Sequence, residues 1–559
     1  MRIKKAKSQQ LLPFSTDVAI IGAGVSGLYA GYRFLTGDYQ EGKQAPQSIS
    51  VFEMSNRIGG RLESIELDSM NVMGELGGMR YMTSQEIVTA LIEDIFKGKI
   101  TPVEFPMGDP ANLLNYLRKQ RFLNNSWRDS TGGSPTFETR YFVKEQFIGY
   151  SSDYVFNWIV NNVLKAGGYD KSGSEYTARE WDDIKKVLRY NFEGPYNGML
   201  VKDMGFWNLI KDQTDEETYQ FLSDAGGYYS NTINWNAAEA FPYMVGDFAQ
   251  QGVQYKTIKE GYDQIAYCLA EEFTKLGGVI YQETKLKSFE RTPAGSQYKY
   301  VMTIENTRTK VSMSIYANHI FLAMPRKSLE LIDQNNFFFN NPVLKKNIPS
   351  VIMEPSFKLL LGFEYPWWTN PQILGATSGH SVTDLPMRQC YYFGTDPENK
   401  HSLFLSSYND MRTVQFWKAL QSDKLFQPRA TKLVTLKSLQ KAPYKQAPKE
   451  MVDEAMKQIR ELHGHPELIP EPYTSAYKDW SGNPYGGGYH AWKAKYDVWN
   501  VMPFMRKPSQ NDNIYICGEA YSDQQGWVEG AFCVTEHIMQ DYFGLLWPDW
   551  LNKEYYLGW

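Results

Sequence analysis

The sequence predicts an α/β protein of more than one domain, and three observations carry that expectation. A β-branched run, Asp17 to Ile21, meets glycine and then a helix-like stretch, Val25 to Phe34, the pattern of a buried parallel strand feeding a crossover helix. Near the carboxyl end the pattern returns, with a strand at Ile514 to Cys517, a Gly-rich turn and a helix from about Val528 to Phe543. The chain has 559 residues, several times the roughly 100 to 150 typical of one domain.

Taken in order, a polar segment from Gly37 to Gln47 interrupts before the next strand, Ile49 to Glu53. Between Met107 and Ala240 the strand signal fades, and Phe147 to Ala166, Ala178 to Tyr190 and Asp215 to Asp224 read as helices of an inserted unit. Gly261 to Lys275 reads as a helix, followed by strand-like Val279 to Gln282. Short strands are expected around Tyr298 to Glu305 and Lys310 to Tyr316, and a further buried one over Ala317 to Pro325. A mixed region runs from Ser328 to about Arg506. The reading divides the chain into a discontinuous first domain (15–66, 241–327 and 506–545), a mixed α+β domain (67–106 and 328–505) and a helical domain (107–240). No internal repeat or low-complexity tract interrupts this plan.

Composition excludes several classes. With 42% apolar and 22% charged residues, and 58 Lys and Arg against 63 Asp and Glu, the chain is neither disordered throughout nor a generally basic nucleic-acid binder. Aromatics reach 15%, which suits both cores and apolar ligand pockets. Cys268, Cys390, Cys517 and Cys533 show neither metal-ligand spacing nor a close pair, so no zinc module or disulfide framework is expected, and no metal. The opening MRIKKAKSQQLLPF lacks the apolar stretch of a secretory signal, and no run approaches the ~18 apolar residues of a membrane span. A soluble, cytoplasmic protein is the expectation.

The segment IIGAGVSGL, Ile20 to Leu28, sets Gly22, Gly24 and Gly27 in a GxGxxG array where strand meets helix. The first glycine permits the tight turn, the second lets the backbone approach a pyrophosphate, and the third lets helix and strand pack closely. Ser26 lies within the array, and the helix N-terminus faces the phosphates. Glu53, at the end of the next strand, is placed to accept the hydroxyls of an adenosine ribose, and the Gly37 to Gln47 insertion accounts for its longer spacing. A Rossmann-like dinucleotide-binding domain follows.

The run EMSNRIGGRLES, Glu53 to Ser64, resembles the second fingerprint of the flavin-dependent amine oxidase family. Further segments are most similar to the L-amino acid oxidases of that family: GELGGMRYM (Gly74 to Met82), GHSVTDLPMR (Gly379 to Arg388) and IYICGEAYSDQQGWVEGA (Ile514 to Ala531). The resemblance implies noncovalent FAD, held by Gly22, Gly24, Ser26, Gly27, Glu53, Arg61, Gly78, Met79, Arg80, Gly518, Glu519, Trp527 and Val528, with Arg61 offering a cationic fork to the phosphates. Gly488 stands where the monoamine oxidase branch carries the cysteine that bonds to the cofactor, which is the ground for expecting a noncovalent flavin.

For the substrate, the resemblance implies that Arg80 clamps the carboxylate of an L-amino acid, with Tyr408 adding a phenol hydroxyl; Tyr391 and Tyr392 remain alternatives to Tyr408, and an ion pair with Glu75 is the alternative reading of Arg80. Lys358, a lysine in an apolar strand, is implied to hold a water beside the flavin. Trp480, Gly526 and Trp527 are expected to confine the substrate, and His463 and His465 to lie in a surface loop. Oxidative deamination with O2 as acceptor, by a homodimer, is what the resemblance implies. Monoamine or polyamine oxidation, amino acid monooxygenation and a non-catalytic flavin-binding relative are the rival readings.

Overall fold

The computed structural model describes residue 12 and residues 14–128, 138–246, 254–426 and 444–559. The opening segment read for a signal lies, up to residue 11, outside the described residues.

A seven-stranded sheet carries the glycine fingerprint. Its order runs Val279–Tyr281, Ile49–Phe52, Ser15–Ile21, Ser312–Ala323, Tyr300–Asn306, Thr284–Arg291, with Ile514–Cys517 also pairing with Ser312–Ala323. Ser15–Ile21 is parallel to both of its neighbours and buried on both faces, with Val18 and Ile20 in one apolar cluster and Ala19 and Ile21 in another. That is why its sequence reads as a continuous apolar run rather than an alternation. The helices Val25–Thr36, Gln264–Lys275 and Val528–Phe543 pack together over the first cluster.

The strands expected over Lys310 to Tyr316 and Ala317 to Pro325 are one strand, Ser312–Ala323. Its first three residues are exposed and its first half pairs antiparallel with Tyr300–Asn306; its second half enters the core, parallel to Ser15–Ile21. The change from polar to apolar marks a change of environment along one strand, not a break in it.

A second seven-stranded sheet runs Thr474–Asp479, Ser356–Phe363, Ser402–Asp410, Gln389–Thr395, Gly379–Thr383, Leu114–Leu117, Gln120–Leu123. The last two strands fall within the stretch read as helical. They are joined by Arg118 and Lys119, both at positive φ (48° and 61°), a two-residue hairpin turn without the Gly or Asn that would have signalled it. Beyond them lie the helices Ser152–Ala166, Ala178–Val187, Phe206–Gln213, Glu216–Ala225 and Ala237–Gly246, around a third apolar cluster. Ser151, Thr177 and Asp215 each accept a first-turn N–H and fix where three of these helices begin.

His463 is not a surface loop residue. The amphipathic helix Lys449–His463 runs through it, its Nδ1 bonds Ile459 O at 2.8 Å, its Nε2 meets the Tyr392 hydroxyl at 2.8 Å, and it is buried, whereas His465 is exposed. All four cysteines are buried and free. Among the described residues no helix is long and apolar enough to cross a membrane, and no group of His, Cys, Asp and Glu could hold a metal ion.

Candidate active site

The glycine fingerprint is built as its spacing requires. Gly22 leaves the first strand at φ 113°, and a Cβ there would stand 2.3 Å from Ala323 O. A Cβ on Gly27 would stand 2.1 Å from Gly22 O and 3.1 Å from the Ala323 side chain, so this glycine serves helix–strand packing. Gly24 precedes the helix Val25–Thr36 with no side chain capping it. The second motif closes on the first: Gly59 N–H donates to Ala23 O at 2.8 Å, and Gly60 packs against Gly24. Glu53 is fixed by accepting the N–H groups of Ala23 and Ser55, at 2.9 and 2.8 Å.

These residues open onto a cavity of about 1260 Å³ lined by Gly22, Gly24, Ser26, Glu53, Arg61, Gly78, Gly518, Glu519, Gly526, Trp527 and Val528. Gly27, Met79 and Arg80 do not line it. Arg61, expected at the phosphates, lines the cavity while bonded to Glu519 Oε2 at 2.7 Å and Gly488 O at 3.0 Å. Burial would raise the Glu519 carboxyl, but Arg61 and the His490 ring, 3.1 Å away, hold it well below the usual carboxylate range. Arg57, which the sequence reading passed over, ties this loop together through Leu62 O (2.9 Å), Gly60 O and Tyr485 OH (3.2 Å).

Arg80 lies in an aromatic cage. Its guanidinium sits 4.4 Å from the Tyr255 ring centre and 5.1 Å from that of Phe105, with Tyr391, Tyr228 and Tyr408 close enough to act on its charge. Among the described residues it has no carboxylate partner. Glu75 is instead committed to Ser64 Oγ (2.7 Å) and the Tyr262 N–H (2.8 Å). Of the three tyrosines left open, Tyr391 and Tyr408 face Arg80, whereas Tyr392 turns to the opposite side of its strand, toward Ser381 and His463. Tyr228 and Tyr255, which the reading of the sequence missed, complete the cage: Tyr228 packs edge-on to Tyr408 at 5.2 Å and Tyr255 stacks on Trp527 at 6.5 Å.

Lys358 is 3% exposed, with Nζ donating to Gly77 O at 2.6 Å and lying 4.5 Å from the Tyr408 ring centre. Burial pushes its pKa down, Glu75 opposes this and Arg80 adds to it. Trp480 lines neither of the two cavities described here; it is buried with Nε1 on Leu76 O (2.8 Å) and its ring edge-on to Tyr485. The aromatic that lies beside Gly526 is Tyr489, whose ring a Cβ on Gly526 would approach to 3.5 Å. Tyr489, His490 and Trp527 border a second cavity of about 1660 Å³, which reaches the helical insertion at Trp181, Lys185 and Glu239.

The site thus defines a class: an oxidoreductase that cradles a dinucleotide cofactor beside an aromatic chamber. The fit to such a cofactor rests on the cavity lined by Gly22, Gly24, Gly60 and Glu53 and on two helices, Val25–Thr36 and Val528–Phe543, that begin without a side-chain cap. The chain belongs to the flavin-containing amine oxidoreductase family, which matches residues 25–533. With the dinucleotide fingerprint, that makes the cofactor FAD. Similar proteins include Aplysianin-A of Aplysia kurodai, 24% identical over 94% of this chain and 90% of that protein. L-amino-acid oxidase 4 of Hebeloma cylindrosporum is 21% identical over 97% of this chain and 84% of that one. A redesigned putrescine oxidase has a matching fold, with a TM-score of 0.62 at 14% identity, covering 94% of this chain and 99% of that one.

Proposed function

We propose that the protein oxidises L-amino acids: amino acid, O2 and water give the 2-oxo acid, ammonia and hydrogen peroxide. The observation that carries this reading is Arg80, a caged guanidinium without a carboxylate partner among the described residues, suited to a bidentate grip on a substrate carboxylate. FAD, when bound, supplies the hydride acceptor. Gly22, Gly24, Gly60 and the uncapped start of Val25–Thr36 would hold its pyrophosphate, and Glu53 its ribose. Arg80 orients the zwitterion, with the Tyr391 and Tyr408 hydroxyls beside the carboxylate. Tyr255, Trp527 and Tyr489 exclude water around the reacting carbon. Lys358, its pKa lowered by burial, can accept a proton at Nζ and position the water that hydrolyses the imino acid.

The printed name of the Hebeloma relative supports the substrate class. Against a simple amine, which the putrescine oxidase fold match brings to mind, a primary amine would leave Arg80 unpaired in a desolvated cage. Anaerobic bleaching of the flavin absorbance by L- but not D-amino acids, with 2-oxo acid and peroxide as products, tests the assignment. A colour that persists with all twenty would overturn it, and an amide product would make the protein a monooxygenase. With Gly488 at the position of the family's covalent cysteine, the flavin should pass into solution on acid denaturation.

A further inference from the structure

The helical insertion reaches the site through a buried polar chain. Asp410, 1% exposed, ends the strand Ser402–Asp410 two residues beyond Tyr408. Its Oδ1 accepts the Tyr229 N–H at 2.9 Å, and its Oδ2 accepts the Ser230 N–H at 3.0 Å and the Ser230 Oγ–H at 2.6 Å. Ser230 Oγ also shares a short hydrogen bond with the Tyr489 hydroxyl. A carboxylate only accepts and a serine hydroxyl has one proton, so the direction is fixed: Tyr489 donates to Ser230, and Ser230 donates to Asp410.

Burial pushes the Asp410 carboxyl up, and its hydrogen bonds from Ser230 and Tyr229, with the Arg388 charge, oppose that rise. Glu354, opposite Tyr489 in the strand ladder, is wholly buried, neither carboxylate oxygen is hydrogen-bonded among the described residues, and burial, with the Asp410 charge adding to it, raises its pKa well above the usual carboxylate range. Arg388 and Arg412 stack on the Tyr229 ring at 3.9 and 4.0 Å, and Arg388 attracts the Asp410 carboxylate. At the other end of the chain, the Tyr489 ring lies against Gly526 and lines the second cavity with Trp527. The same two N–H groups held by Asp410 directly follow Tyr228, which packs on Tyr408 in the Arg80 cage.

We propose that Ser230, anchored on Asp410, is a positioning residue: its hydroxyl sets the Tyr489 ring beside Gly526 and Trp527, so that the helical insertion fixes the aromatic wall against which the substrate's reacting carbon is held. The inference rests on the oxidase reading for its kinetic consequence but not for its geometry.

The test is a double-mutant cycle on the full-length, FAD-loaded protein. Ser230→Ala and Tyr489→Phe each remove the same link and should each lower kcat about five- to tenfold, the size of one buried hydrogen bond. The double variant should be no slower than either alone, and Ser230→Thr, which keeps the hydroxyl, should restore most of the rate. Visible circular dichroism of the resting flavin, read on the same set without substrate, should shift equally in the two single variants and no further in the double. Additive losses, or rates and spectra unchanged in all variants, would overturn the proposal. If the wild type is not bleached by any amino acid, the oxidase reading fails, while the dichroism cycle still decides whether Ser230 and Tyr489 act as one unit.

Discussion

Replacing Arg80 should separate activity from stability. The guanidinium is held by rings, 4.4 Å from the Tyr255 centre and 5.1 Å from the Phe105 centre, and by a weak hydrogen bond from Nη1 to Met107 Sδ at 3.6 Å. Each such contact contributes about 0.5 to 2 kcal/mol, and this is offset by the desolvation of a half-buried cation without a counter-charge among the described residues. Arg80→Met should therefore leave the folded protein within about 1 to 2 kcal/mol of wild type, a Tm shift of only a few degrees for a chain of this size. Binding should respond far more, because the variant leaves a substrate carboxylate desolvated and unpaired. Losing one partner of a buried charge pair costs about 2 to 5 kcal/mol, so kcat/KM for an L-amino acid should fall by roughly 30- to several-thousand-fold. Arg80→Lys should fall between, since it keeps charge without the planar fork. Steady-state peroxide release, thermal unfolding and the flavin absorbance report the three quantities on one preparation. A variant that keeps its flavin and its kcat/KM would refute the clamp, and one that loses flavin and fold together would refute the claim that Arg80 is free for substrate.

Gly27→Ala would drive a Cβ to 2.1 Å from Gly22 O, which should destabilise the fold by about 1 to 3 kcal/mol and weaken FAD binding at least about tenfold, measured as the ratio of flavin to protein absorbance. Glu354 has a raised folded-state pKa, so in the wild type its contribution to stability falls as pH rises above its unfolded value of about 4.3. Glu354→Gln has no such proton, and its stability relative to wild type should grow by up to about 1.4 kcal/mol per pH unit until the folded value is passed, read from denaturant unfolding at pH 5 and pH 8; a constant difference would show that Glu354 is ionised in the fold. The second cavity sets Glu86, Glu239, Asp523 and Glu554 against Lys185, whose Nζ already lies 2.8 to 3.1 Å from Asp182, Glu239 and Asp523. Cationic amino acids should therefore show at least about tenfold higher kcat/KM than anionic ones, a gap that narrows with added salt.

What could be read from the sequence was what is local. The fingerprint Gly22 to Gly27 and the acid Glu53 lie within one strand–turn–helix–strand unit, so their spacing is legible without the fold, and Arg80 stands out in the sequence because the segment that carries it has its own signature. The rest of the site comes together only in the fold. Tyr228 arrives from the insertion, Tyr255 from a strand after it and Tyr489 from the strand that pairs with Val351–Glu354, and nothing in their flanking residues marks them. Trp480, expected beside the substrate, is buried with its indole N–H on Leu76 O, a backbone partner that its sequence neighbourhood does not announce. The Arg118–Lys119 turn was invisible because it uses positive φ without glycine.

The burial of every cysteine has a consequence for a protein whose proposed product is an oxidant. Peroxide attacks thiolates, and burial pushes the Cys268, Cys390 and Cys517 thiols up to about 12 and raises Cys533 well above its usual value, so in the folded protein none offers the reactive anion. Self-inflicted sulfenylation should then track unfolding rather than turnover, and the chain should outlast its own chemistry for as long as its cores stay closed.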